Sequence, residues 1–264
     1  MHKIFLLLLI FTSLSKSNSQ KIENTVAILI HGTWGSNSRW HQPGNIFYET
    51  IKSHLLKEQI KLISFNWSGK LCYIKRQEAG VNLANLIHSY PASTNFILIS
   101  HSHGGNVGII ASQILTTPDQ IKSFYSLGLP IDTQNYLPNM QVVQNFYHIF
   151  SFGDIHQTVF GMHERIFPNL KGVYNINVEV NGIRPQHEDL HVIQIAKWLL
   201  EIDQVIKNFK NHSNHFFVKL YDNCKPAITL DNQIKQKLDY DKHWHERIQT
   251  SLLSPYSSGR GLTR

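Results

Sequence analysis

Long apolar runs, charge, cysteine and internal repetition are all scarce in this sequence, and each shortage removes a class of protein. Of 264 residues only 16% are charged, and no low-complexity tract or repeat is evident. That composition argues against a coiled coil and against a solenoid. The longest apolar run, Ile4 to Phe11, has eight residues, too few to cross a hydrocarbon core. No cysteine follows it, so a lipidated anchor is not indicated. Basic residues outnumber acidic ones by 25 to 18, a formal net charge of +7, but the lysines are spread along the chain and interleaved with acids after Glu201. With no recognisable nucleic-acid module, this charge speaks to solubility, steering and peripheral contact with anionic surfaces, not to a nucleic-acid partner.

What is present is enough for a sizeable core: 42% of residues are hydrophobic and 11% aromatic, and the length suits one large domain. The N-terminus reads as a signal peptide over residues 1–19. His2 and Lys3 precede the apolar run, and Ser17 and Ser19 supply small residues before a cleavage point. The competing reading is a buried N-terminal strand. Export makes the protein secreted or periplasmic and permits a disulfide between the two cysteines, Cys72 and Cys224. Asn66-Trp67-Ser68 and Asn211-His212-Ser213 match the glycosylation acceptor pattern.

From Thr25 onward, short apolar runs alternate with amphipathic stretches of helical period. Strands are expected at 25–30, 61–67, 96–100, 122–128, 145–152 and 173–180. Helices are expected at 46–58, at 76–90 before Pro91, from the Gly-rich turn to Leu115, and as one long helix over 189–208. Strands alternating with helices of this length imply βαβ units, hence an α/β fold with a mostly parallel sheet covered on both faces. Functional residues in such sheets gather at the carboxyl ends of the strands. The domain is expected over 20–208, followed by an extension of unknown role, 209–264, that ends in a Ser/Gly/Arg-rich tail. His243 and His245 in that extension read as part of a solvated element.

The most informative stretch is Ile99-Ser100-His101-Ser102-His103-Gly104-Gly105. Ser102 stands between a buried strand and a helix, with small residues two positions away on each side. Only small neighbours let strand and helix pack so closely around a sharp turn. The turn lifts the hydroxyl above the sheet and puts a helix N-terminus under any negative charge that forms there. The competing reading is a serine-rich turn in an ordinary α/β domain.

This arrangement resembles the α/β-hydrolase family and its lipase and esterase members, with Ser100 standing where the Gly-x-Ser-x-Gly motif has its first glycine. The resemblance covers about residues 25–208. It implies a compact, minimal sheet of about six strands, because the first strand begins almost directly after the leader. His31-Gly32-Thr33 matches the family's oxyanion loop. The backbone N–H groups of Thr33 and His103 are the implied oxyanion donors, each worth roughly 3 kcal/mol in the transition state, and His31 is read as structural. The family order Ser, acid, His points to Asp154 in Phe152-Gly153-Asp154 as the acid, with Asp132 in reserve. It points to His187 as the base, preferred over His191. The implied activity is hydrolysis of carboxylic esters, small or lipidic, through a Ser-His-Asp triad and an acyl-enzyme, without metal or organic cofactor. Residues 131–144 and 158–170 are candidates for a lid or acyl-pocket wall, or for packing loops.

Two other readings stay open. His187-Glu188-Asp189-Leu190-His191 satisfies the zinc-peptidase pattern H-E-x-x-H, in which two imidazoles four residues apart on a helix ligate one ion and the glutamate acts as base. Against it, Pro185 puts the motif at a helix start, Gln194 stands where the extended form needs glycine, and Glu201 is the one conceivable third ligand. The remaining reading is a non-catalytic binding protein on the same fold.

Overall fold

The computed structural model describes residues 24–35, 38–118, 120–157, 164–207, 214–222 and 225–231. The expected leader, Cys224, Asn211, the 243–245 segment and residues 158–163 of the second lid candidate lie outside them. Asn66 of the other acceptor site is exposed.

The chain runs β1 (Thr25–Ile30), α1 (Ile46–Lys57), β2 (Lys61–Phe65), α2 (Tyr73–His88), β3 (Asn95–His101), α3 (Gly104–Ile114), β4 (Ile121–Leu127), β5 (Phe146–Phe150) and β6 (Val173–Val180). A 3-10 helix (His187–His191) follows, then α4 (Ile193–Leu199), α5 (Ile202–Lys207), β7 (His215–Leu220) and β8 (Ala227–Leu230). One sheet holds all these strands in the order β2-β1-β3-β4-β5-β6-β7-β8. Every neighbouring pair is parallel except β7 with β8.

Strand periodicity explains why both faces are covered. Side chains alternate across a strand, and in β1 both sets are apolar. Val26, Ile28 and Ile30 pack with α2 and α3 residues such as Leu83, Ile87, Val107 and Ile110. Ala27 and Leu29 pack with Phe47, Ile51 and Leu55 of α1 and with Ile195 and Leu199 of α4. A run apolar at every position is stable only between two layers. The helix ends follow local chemistry: the Asn45 side chain caps α1 by accepting from the Phe47 N–H at 2.9 Å, and Pro91 stands just past the end of α2.

Two expectations need correction. The sheet has eight strands among the described residues rather than about six, because β7 and β8 arise after residue 208 and continue it. The long helix expected over 189–208 is three pieces. Val192 adopts an extended conformation, φ −83° and ψ 163°, and separates the 3-10 helix from α4. Within this stretch Ile195, Ala196, Leu199 and Ile202 are fully buried, whereas Val192 is only partly so. Of the alternatives for 131–144, packing is the one that Ile131, Tyr136, Val142 and Val143 follow, since they are buried in the core on the α2–α3 side. Phe167 of the other candidate is buried in the same core.

Candidate active site at the ends of strands three, five and six

β3 delivers Ser102 directly into the N-terminus of α3. Ser102 has φ 53°, in the left-handed region that costs a non-glycine residue about 1–3 kcal/mol and persists only where surroundings enforce it. Here the Ser102 N–H donates to the Leu127 carbonyl at 2.8 Å, and its own carbonyl accepts from Gly105 at 2.9 Å. Space is the other constraint. A Cβ on Gly32 would lie 2.6 Å from Ser102 Cβ, and one on Gly104 would lie 2.5 Å from the carbonyl oxygens of Ile30 and His31. Ser100, at the motif's first small position, is fully buried with its hydroxyl directed to the Tyr125 carbonyl at 3.3 Å.

The loop after β1 is fixed by His31. Its Nδ1–H donates to the Gly32 carbonyl at 2.9 Å, its Nε2 accepts from the Trp67 N–H at 3.2 Å, and its carbonyl accepts from Trp67 Nε1 at 2.7 Å. Burial lowers the pKa of His31 and keeps it neutral, consistent with a structural role. Two residues on, the Thr33 N–H has no hydrogen-bond partner among the described residues, and neither has its buried hydroxyl.

Asp154 follows β5 and His187 follows β6. Their side chains meet: Asp154, with no exposed surface, accepts from His187 Nδ1 at 2.7 Å. The other carboxylate oxygen accepts from the N–H of His156 at 2.9 Å and of Gln157 at 3.4 Å. Gly128, at φ +60°, leaves room for the pair, since a Cβ there would lie 3.1 Å from Asp154 Oδ2 and 3.2 Å from His187 Nδ1. With Nδ1 donating to the carboxylate, neutral His187 carries its lone pair on Nε2. Thr33, Ser102, His103 and His187 line one cavity of about 170 Å³, with Trp34 and Leu71 among its remaining walls. Ser102 Oγ makes no hydrogen bond to His187 among the described contacts.

No protein-family model and no curated protein matches this sequence. Among solved structures it is similar to a Trichoderma reesei cutinase in complex with a phosphonate inhibitor, at 20% identity and TM-score 0.32 over 41% of this chain and 52% of that one. It is also similar to a Xanthomonas campestris serine hydrolase without a lid, at 14% identity and TM-score 0.46 over 72% and 84%. A third is mouse alpha/beta hydrolase domain-containing protein 10, at 14% identity and TM-score 0.40 over 70% and 90%. This chain spans about half the length of the cutinase it matches. The strand order, the serine at positive φ after β3 and the Asp–His pair after β5 and β6 agree on one assignment. This is an α/β-hydrolase fold.

Within the α/β-hydrolase fold the reserve residues go elsewhere. Asp132 accepts from Asn135 of its own turn, at 2.7 Å to the side chain. Glu201 is exposed and lines a separate cleft with His54, Lys197 and Lys225. His191 turns away from Asp154: its ring stacks on Trp40 at 5.5 Å and 7°, and its Nε2 lies 3.4 Å from Glu188 Oε2. The H-E-x-x-H segment is a 3-10 helix, in which residues four apart are rotated by about 120° instead of sharing a face. His187 and His191 therefore have different partners.

Several side chains had no assigned role in the sequence reading. His101, inside the serine motif, is buried, donates from Nε2 to the His187 carbonyl at 3.0 Å, and lies 4.6 Å ring to ring from His187. Burial, then the neighbouring imidazoles of His187 and His191, push its pKa well below the ordinary value. His103 is lowered to about 3 by burial, with Arg76 and His187 adding; Asn106 Nδ2 donates to its Nδ1 at 2.9 Å. Arg165 is a buried cation whose guanidinium donates to the carbonyls of Asp154 at 2.8 Å and Ser151 at 3.1 Å, clamping the acid's loop. Neither Arg165 nor Trp40 carries a sequence signal of its own; His101 does, by its place beside Ser102.

Proposed function

We propose that this protein is a serine hydrolase that cleaves carboxylic esters. The observation that carries the reading is the 2.7 Å Asp154–His187 hydrogen bond at a cavity that also contains Ser102 on its strained turn. His187 Nε2 takes the Ser102 proton as Oγ attacks the ester carbonyl carbon, and Asp154 holds the ring and stabilises the imidazolium. The Thr33 and His103 N–H groups receive the tetrahedral oxyanion. Collapse of the intermediate returns the proton from His187 to the departing alkoxide. Water, activated by the same imidazole, then releases the acid from Ser102. Hydrogen bonds of this kind tighten when substrate occupies the site.

A cavity of about 170 Å³ is smaller than the 300–1,000 Å³ typical of drug-sized ligands. It suits a short acyl group, with the rest of a small or lipidic ester lying outside beside Trp34, which is 70% exposed. Export through the leader at residues 1–19 belongs to the same proposal. The test is labelling with a fluorophosphonate probe. Wild-type protein should label and Ser102→Ala should not. Equal labelling of both would overturn the nucleophile, and labelling of neither would favour a binding protein on this fold.

A further inference from the structure

The serine chemistry leaves Glu188 and His191 of the H-E-x-x-H segment without a role, and with them His101. These three side chains converge. One possible ligand atom from each lies within 4.8 Å of the others. The group mixes two elements: His101 ends β3, and Glu188 and His191 stand on the 3-10 helix after β6. The segment's metal-like spacing is thus matched by a metal-like cluster in which His101 takes the place His187 holds in the sequence pattern.

We infer that His101, Glu188 and His191 form a binding site for a divalent d-block cation of the zinc type. Two imidazoles and one carboxylate are the donor set that binds zinc with one position open, and imidazole donors disfavour magnesium and calcium. Zinc at bond lengths of about 2.0–2.2 Å sets tetrahedral ligands roughly 3.4 Å apart. His191 Nε2 and Glu188 Oε2 already stand at 3.4 Å. The third donor closes from within 4.8 Å, a movement of about 1.4 Å or less toward that tetrahedral spacing. Glu188, with its side chain 75% exposed, adjusts easily.

The rings are already oriented. Trp40 stacks on His191 and Phe47 meets it edge-on at 6.5 Å. The His101 Nε2–H donates to the His187 carbonyl, which leaves the lone pair on Nδ1. A backbone carbonyl is a common outer partner for a ligating imidazole. On binding, the ion takes the His191 Nε2 lone pair, and the proton between His191 and Glu188 shifts to His191 Nδ1. His101 and Glu188 also line the cavity that contains Ser102, which gives the ion a route in from solvent. This site is independent of the proposed hydrolysis, because its readout is the ion.

The test is calorimetric titration of the chelator-stripped full chain with zinc, together with the visible spectrum after loading with cobalt(II). One saturable equivalent is expected, with intense low-coordinate cobalt bands. Glu188→Gln and His191→Gln each remove a direct ligand and should weaken zinc by at least the roughly 10–100-fold that loss of an outer partner costs. Circular dichroism checks that each variant folds; if His191→Gln does not, the exposed Glu188→Gln alone decides. A second group, Asp154, His156 and His187, also has ligand atoms within 4.8 Å of one another, so His156→Asn is the discriminating control and should bind as wild type. No saturable binding, binding unchanged in both Glu188→Gln and His191→Gln, or loss of binding in His156→Asn would each overturn the site.

Discussion

The two halves of the candidate active site are held by different physics. Around Ser102 the backbone is confined by lack of space: Gly32 and Gly104 stand where any Cβ would collide with the turn or with the end of β1. Around His187 the constraint is a set of directional contacts. Asp154 binds the ring, His101 binds the carbonyl, Arg165 clamps the acid's loop, and Leu190 is buried beside Gly128. The first half is encoded in two short motifs, one around the serine and one at the end of β1. The second is assembled from four distant segments, and its local geometry follows from its partners.

The largest effects should come from breaking each half at its reacting group. Ser102→Ala should abolish turnover of a short-chain ester. Asp154→Asn should cost roughly 10⁴-fold in kcat by letting His187 take the wrong tautomer, with near-native circular dichroism. A drop under tenfold for Asp154→Asn would remove it from the catalytic group.

Crowding the serine half should cost less. Gly32→Ala places a methyl 2.6 Å from Ser102 Cβ, and a displaced nucleophile loses roughly 10²-fold in rate. Overpacking should also cost about 1–3 kcal/mol of stability in denaturant unfolding. Unchanged kcat in Gly32→Ala would show that the turn is not space-limited.

The smallest effect concerns the scaffold both halves share. His148 in the middle of β5 is fully buried, with its Nε2 on the Arg165 carbonyl at 3.1 Å, and burial lowers its pKa to about 3. A histidine whose folded pKa is depressed leaves stability intact above the unfolded value near 6.5. It removes stability as pH falls from there toward the folded value, by up to about 1.4 kcal/mol per pH unit. His148→Gln should therefore unfold with a shallower pH dependence between pH 6 and 4, measured by urea midpoints. An unchanged slope would mean that His148 does not titrate on acid unfolding.

The same contrast explains what was legible in the sequence. β1 and β3 are uninterrupted apolar runs, and the small residues around Ser102 mark its turn, so this half could be read locally. Asp154 and His187 were found by chain order, and the hydrogen bond between them joins what that order could only list. The breaks in the 189–208 helix were hidden because Val192 carries no local stop signal. β7 and β8 were missed because β8 is the edge strand and β7 the strand beside it, each with one face incompletely covered: Phe216, Val218 and Leu220 alternate with half-exposed residues, and β8 is exposed at every second position. Such strands lack the continuous apolar run of the interior ones.

The antiparallel return of β8 has a consequence for how the domain is attached. The parallel strands all point their carboxyl ends at the pole that holds the cavity. β8 runs the other way, so Asp231 hands the chain on at the opposite pole, where Thr25 also begins β1. Six ladder spacings separate β1 from β8, roughly 30 Å at about 4.8 Å each. Tethers or fusion partners joined at these two points start at the pole away from the mouth beside Trp34, well apart from one another.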